Sequence, residues 1–322
     1  MQSSEIKSPR GTAVFLLLFG ALVMAAGLPL RIWQQFHLVE SQTGFWLPGA
    51  SRATIILLYV ILGVLIVVPF VAGVMQRKQL TLDIARRSRM AEGCAAIVAA
   101  VTIVVGVALA LHFAISVFSG QATIEGLTPQ SNNRVQFFIR SGAAAALLEA
   151  VFGLGAAIFF ANLAFVNLFP SKQVYLNRLL AITPVLWVIA RVLRRFSRTI
   201  AYLRISDLFL TLVALVLLMI FLLAFAQILA GVNNSGKEWR LAAAGIPAAV
   251  LLLLGFIPRV AAYWFGSNLI APQDAAMELA DPALAIFICI FLYERLLKLD
   301  KLDTPEELDE PEEPEQLQAG EA

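Results

Sequence analysis

Charge is scarce in this chain. Only 14% of its 322 residues are Asp, Glu, Lys or Arg, where a soluble globular domain carries about 25%. Hydrophobic residues make up 60% and the mean hydropathy is +0.81. That excess cannot be hidden in one aqueous core, which excludes a soluble all-α protein. Histidine and cysteine are scarcer still, with two of each. His37, His112, Cys94 and Cys289 have no metal-ligand spacing, so no metal site is expected. Both cysteines lie in or beside apolar segments and read as small buried hydrophobes. Neither signature of a Gly-rich phosphate loop occurs, and there is no G-x-S-x-G elbow or H-E-x-x-H pair. These absences argue against a nucleotide-driven pump and against an enzyme with a nucleophile–base set. No cofactor is expected.

Long apolar runs are what the chain has. A helix needs about 20 apolar residues to cross a bilayer, and segments 11–28, 53–75, 94–118, 141–168 and 205–231 qualify. A sixth, 241–257, lies between Arg240 and Arg259, about 28 Å apart along a helix. Two more runs are short. Segment 179–190 lies between Arg178 and Arg191, and 282–293 between Asp281 and Glu294, each pair about 20 Å apart. A hydrocarbon core is about 30 Å thick. Length therefore predicts an all-α polytopic bundle of six long spans with two half-length interfacial or re-entrant helices, the alternative being eight spans.

Charge arbitrates between these, because cytoplasmic loops are enriched in Lys and Arg. With a cytoplasmic N-terminus, six spans place 18 of the 24 cations inside, and eight spans place 14. The six-span threading is favoured. It puts both termini, and the arginine-rich stretch 187–199 ("WVIARVLRRFSRT"), on the cytoplasmic face of a plasma membrane. The first run, preceded by Lys7 and Arg10, reads as an uncleaved signal-anchor rather than a cleaved signal peptide. Segment 31–51, with Trp33, Phe36, Phe45 and Trp46, reads as an interfacial hairpin or short helix in which His37 is a bystander. Segment 121–136 is a loop, and Asn233-Asn-Ser235 fits an N-glycosylation acceptor. Residues 1–302 form the helical domain. Residues 303–322 form an acidic tail without a cation, expected to be disordered.

Polar residues inside the apolar runs are the candidate site. Glu149 lies nine residues beyond Arg140, about 13 Å deep, where a carboxylate is costly. Ser141, Ala145, Glu149, Gly153, Ala157 and Ala161 recur every four residues, a small-residue ridge for close helix packing. His112 lies at a similar depth on the preceding span and is the expected partner of Glu149. Asn162 and Gln227 are further candidate hydrogen-bonders. Arg191, Arg194, Arg195 and Arg198 read as a basic amphipathic face lying on anionic lipid headgroups. Arg204 and Asp207 can pair at i, i+3. The expected partners are thus the bilayer itself and a cytoplasmic protein at the acidic tail, with no nucleic acid. Two functions fit: a non-enzymatic carrier or accessory subunit for a small solute, built around Glu149, or a structural or regulatory protein that recruits a partner through its basic helix and tail.

Overall fold

Unbroken apolar stretches with few glycines in their interiors form helices, because a bilayer leaves no other way to satisfy their backbone groups. The computed structural model describes residues 9–39, 46–75, 90–120, 137–139, 141–169, 179–197, 208–230, 239–265 and 278–297. Its long helices are α1 (Pro9–His37), α2 (Arg52–Met75), α3 (Met90–Phe118), α4 (Ala143–Leu168), α5 (Thr183–Ser197), α6 (Leu208–Leu229), α7 (Trp239–Trp264) and α8 (Ala280–Leu297). A single 3₁₀ turn, Leu180–Ile182, leads into α5. Among the described residues there is no β-strand, only an isolated bridge between Val39 and Trp46. Six helices, α1 to α4, α6 and α7, are long and apolar enough to cross a membrane. The protein is thus an all-helical, multi-pass membrane bundle. Residues 121–136 and 231–238, together with Arg198, Arg204, Asp207 and the acidic tail, lie outside the described residues.

Helix directions follow from pairwise contacts. Gly20 and Gly27 of α1 face Ile246 and Leu254 of α7, so these two helices run parallel. Gln34 near the end of α1 meets Thr54 at the start of α2, and Gly73 near the end of α2 meets Trp239 at the start of α7. Gly93 of α3 packs on Leu168 of α4. Gly155, Gly153 and Glu149 of α4 meet Thr183, Trp187 and Arg194 of α5, so α5 runs antiparallel to α4. Arg259 of α7 meets both Thr211 of α6 and Glu278 ahead of α8. Gly245 of α7 faces Phe221 of α6 and both Ile288 and Leu292 of α8. The eight helices therefore alternate in direction. One end of the bundle, here the terminal end, carries the start of α1 and the end of α8. The opposite end carries the end of α5 and the starts of α6 and α8.

Both short runs form helices that pack against the long ones. α8 packs against α1, α3 and α7, and its Phe287 and Phe291 stack edge-on against Phe160 of α4 and against Phe221 and Phe225 of α6. Ile286, Cys289 and Tyr293 form an exposed stripe on it. α5 buries Val185, Trp187, Val188 and Ala190 against its neighbours. Arg191 and Arg195 sit at the end of the bundle opposite Arg295. α6 ends and α7 begins at the terminal end, and the Asn233-Asn-Ser235 acceptor lies outside the described residues. Three corrections follow. Residues 31–37 continue α1 rather than forming a separate hairpin, with Trp33 stacked on His37. Cys94 and Cys289 face outward instead of inward. The small-residue ridge of α4 is buried from Ser141 to Ala157, but Ala161 is exposed.

In lipid, helix association rests on van der Waals fit, since lipid tails are as apolar as leucine. Gly153 shows the consequence. A Cβ placed there would lie 2.7 Å from Val107 of α3 and 3.1 Å from Trp187 of α5. Gly153→Ala should therefore destabilise the protein in detergent by about 1–3 kcal/mol through overpacking. At Gly255, where an added Cβ meets nothing within 4 Å, alanine should leave the melting temperature unchanged or raise it. Equal melting temperatures for the two variants would show that the α3–α4–α5 contact is looser than described.

Candidate functional site

Charges cluster at the end opposite the termini. Glu149, in the second turn of α4, is buried, and its Oε2 lies 3.0 Å from Nε of Arg194. The N–H is not directed at that oxygen, so the contact is an ion pair without an aligned hydrogen bond. Glu149 Oε1 lies 3.9 Å from Nε of Arg191. Arg191 also donates to Asp281 in the first turn of α8 and stacks over Trp187 at 5.1 Å. Glu278, on the turn ahead of α8, accepts from Arg195 with one oxygen and from Arg259 with the other. Arg259 donates in addition to Thr211 Oγ1 at 3.1 Å. Four guanidiniums and three carboxylates thus converge from α4, α5, α7 and the start of α8, with the Thr211 hydroxyl from α6. They are held mostly out of water: Arg191 is 3% exposed, Glu149 5% and Asp281 6%.

Local sequence explains who reaches whom. Arg191 and Arg195 are one turn apart on α5, so they share a face. Glu278 and Asp281 are three apart and joined by a turn, in which the Asp281 N–H donates to the Glu278 carbonyl at 2.9 Å. The two pairs then match rung for rung, Arg191 with Asp281 and Arg195 with Glu278. Removing one member of such a buried pair leaves its partner as an uncompensated charge, which costs about 3–5 kcal/mol.

A second cluster closes the terminal end. Arg295 of α8 reaches Glu92 of α3 at 3.3 Å, and Asn167 of α4 donates to the same carboxylate at 3.1 Å. At the opposite end, where α1 finishes, buried Arg31 donates to Gln34 at 3.3 Å and lies over the Trp46 ring at 5.4 Å. Gln34 in turn donates to the Thr54 carbonyl at 2.9 Å.

The candidate residues read from the sequence fare differently. Glu149 is at the centre of the main cluster, but its partners are arginines. His112 faces outward from α3, off the stripe of Val107, Ala110 and Ala114 that packs inward, and makes no ion pair with Glu149. Asn162 is half-buried, 13 residues from Glu149 on the same helix and about 20 Å away along it. Gln227 is half-buried near the end of α6, at the terminal end of the bundle. Neither joins the cluster. Arg191, Arg194 and Arg195 are paired inside the bundle rather than spread on headgroups, and Arg198 lies outside the described residues. Glu278, Asp281, Arg259 and Thr211 were missed, as were Glu92, Asn167 and Arg295. One signal was present: each short run is bracketed by charge, arginines around one and acids around the other. Complementary brackets of this kind can neutralise each other.

No protein-family model, no curated protein and no solved structure matches this chain. Among the described residues, no group of three His, Cys, Asp or Glu side chains is arranged to hold a metal ion.

Burial alone would raise the pKa of Glu278, but Arg259 and Arg195 together outweigh it and hold the carboxyl at about 2, against 4.5 for the free group. A carboxylate whose pKa is depressed on folding stabilises the fold above its unfolded value. That stabilisation is lost as pH falls toward the folded value. Thermal stability in detergent should therefore decline between about pH 4.5 and about pH 2, and Glu278→Gln should flatten that part of the profile while lowering stability at pH 7. An unchanged slope in the variant would mean that other carboxylates carry the acid response.

Proposed function

We propose that this chain is a non-enzymatic carrier or accessory membrane subunit whose working site is the arginine–carboxylate cluster at the end of α5, and that its solute is a small anion. The observation that carries this reading is the excess of guanidinium. Four arginines face three carboxylates among the described residues, in a setting where net charge is costly. The adjoining segments 198–207 and 266–277 add two arginines and two aspartates, which leaves the balance unaltered. Arginine's planar fork suits carboxylate and phosphate oxygens in particular. Glu149 then acts as a counter-ion that spaces Arg191 and Arg194, not as a proton carrier partnered by His112. The recruiting role loses its basic half on this reading, because the α5 arginines turn into the bundle, and rests on the acidic tail alone.

Purified protein in detergent should melt at a higher temperature in millimolar succinate or inorganic phosphate than in sodium chloride of equal ionic strength, since a ligand that binds only the folded state stabilises it. Arg194→Gln should abolish the difference. Indifference of the wild-type protein to all these anions would remove the reading.

We also propose eight passes across a plasma membrane, with both termini cytoplasmic. The alternation of helix directions supports the number. The cation count, 14 on the terminal side against 10 opposite, supports the orientation, and four of those ten arginines are paired with carboxylates in the cluster. In a variant lacking Cys94 and Cys289, Ser197→Cys should react with a membrane-impermeant thiol reagent in intact cells, and Thr304→Cys should not. Equal labelling of both positions would defeat this threading.

A further inference from the structure

Glu278 differs from the other carboxylates of the cluster in three ways. Glu149 and Asp281 belong to helices, whereas Glu278 stands on the turn ahead of α8, where its carbonyl accepts from the Asp281 N–H. Displacing its side chain leaves that backbone bond in place. Its two oxygens accept hydrogen bonds from guanidiniums of two helices, Arg195 of α5 and Arg259 of α7, whereas both ion-pair partners of Glu149 stand on α5. This is the arrangement that a bound carboxylate ligand would adopt between two arginines. It also lies at the more open edge of the cluster. The side chains of Arg195 and Arg259 are 25% and 13% exposed, against 3% for Arg191.

We propose that Glu278 is a tethered stand-in for the solute's carboxylate: a small carboxylate anion displaces it from Arg195 and Arg259, and its release loosens the turn ahead of α8 from these two arginines. This rests on the anion-site reading above and names both the contact residues and the coupled movement. The exchange keeps the local charge balance, since one carboxylate leaves the pair of guanidiniums as another enters. A tethered group competes at the high effective concentration set by its short link to the fold. Weak binding to the wild-type protein and tighter binding once the tether is cut are therefore expected. The remaining anchor of α8 at this end, Asp281 on Arg191, stays in place. The far end stays fastened through Arg295 and Glu92. Displacement of Glu278 therefore loosens one turn rather than releasing the helix.

The test is chemical rescue of the full-length protein in detergent at pH 7, with sodium acetate titrated against sodium chloride at constant ionic strength. Glu278→Gly should melt several degrees below wild type in chloride. Acetate should restore most of the loss, with a half-effective concentration at least about tenfold below that for wild type. Glu278→Gln, which fills the same volume without the charge, provides a folded variant if the glycine variant fails to accumulate, and its acetate midpoint should also fall below the wild-type value. Acetate midpoints in these variants equal to wild type, or no difference from chloride, would overturn the role of Glu278. If succinate and phosphate still stabilise wild type in that case, the anion site stands and only the tether is refuted. If no anion stabilises any form, both fall.

Discussion

A charge taken out of water must be neutralised close by, and the arrangement of this bundle depends on that constraint. The cost of burying an ion is several kcal/mol even after relaxation. The chain nevertheless carries arginines and carboxylates into the bundle on α3, α4, α5, α7 and α8. They are tolerated because they meet one another. Arg191 and Arg195 find Asp281 and Glu278 some 83 to 90 residues away in sequence, and Arg295 finds Glu92 at a separation of 203. Each of these contacts ties a helix that is otherwise held only by apolar fit. In lipid such fit has no hydrophobic contribution to favour one neighbour over another. The ion pairs therefore serve as register marks: they specify which helix end meets which.

α8 shows how the two kinds of contact divide the work. Its middle is a ladder of phenylalanines interleaved with those of α4 and α6, with ring centroids 5.1–6.2 Å apart. Aromatic pairs of this kind add about 0.5–1.5 kcal/mol each beyond area, but one turn of slippage would leave a similar ladder. The charges at the two ends remove that freedom, because a slip would leave Asp281 and Arg295 buried without partners. The cluster opposite the termini also holds more guanidinium than carboxylate among the described residues. A site can thus be adequately neutralised for folding and still favour an incoming anion.

The amphipathic face of α5 illustrates a general hazard in reading basic helices. An arginine stripe beside an apolar run has the same sequence pattern whether it faces lipid phosphates or carboxylates of the same protein. The cation count that favoured six spans treated Arg191, Arg194 and Arg195 as loop charges, free to set orientation. Inside the bundle they are already neutralised, so these three carry little weight in such a count.

The sequence alone determined that the chain is all-helical and embedded in a membrane, because backbone hydrogen bonding in hydrocarbon leaves no alternative for runs of that length and composition. It also determined the six long helices to within a few residues at most ends, the burial of Glu149 and most of the small-residue ridge around it. Those properties are local: they depend on runs, spacings and the helical repeat. Partnership is not local. The exchange of His112 for Arg191 and Arg194 as partners of Glu149 was decided by tertiary structure. So was the packing of α5 and α8 against the long helices despite their short apolar runs, and so was the assembly of Glu278, Arg259 and Thr211 into one site. The physical reason is the same in each case. The cost of a charge in a helix depends on whether an opposite charge lies within a few ångströms, and that distance exists only once the helices have packed.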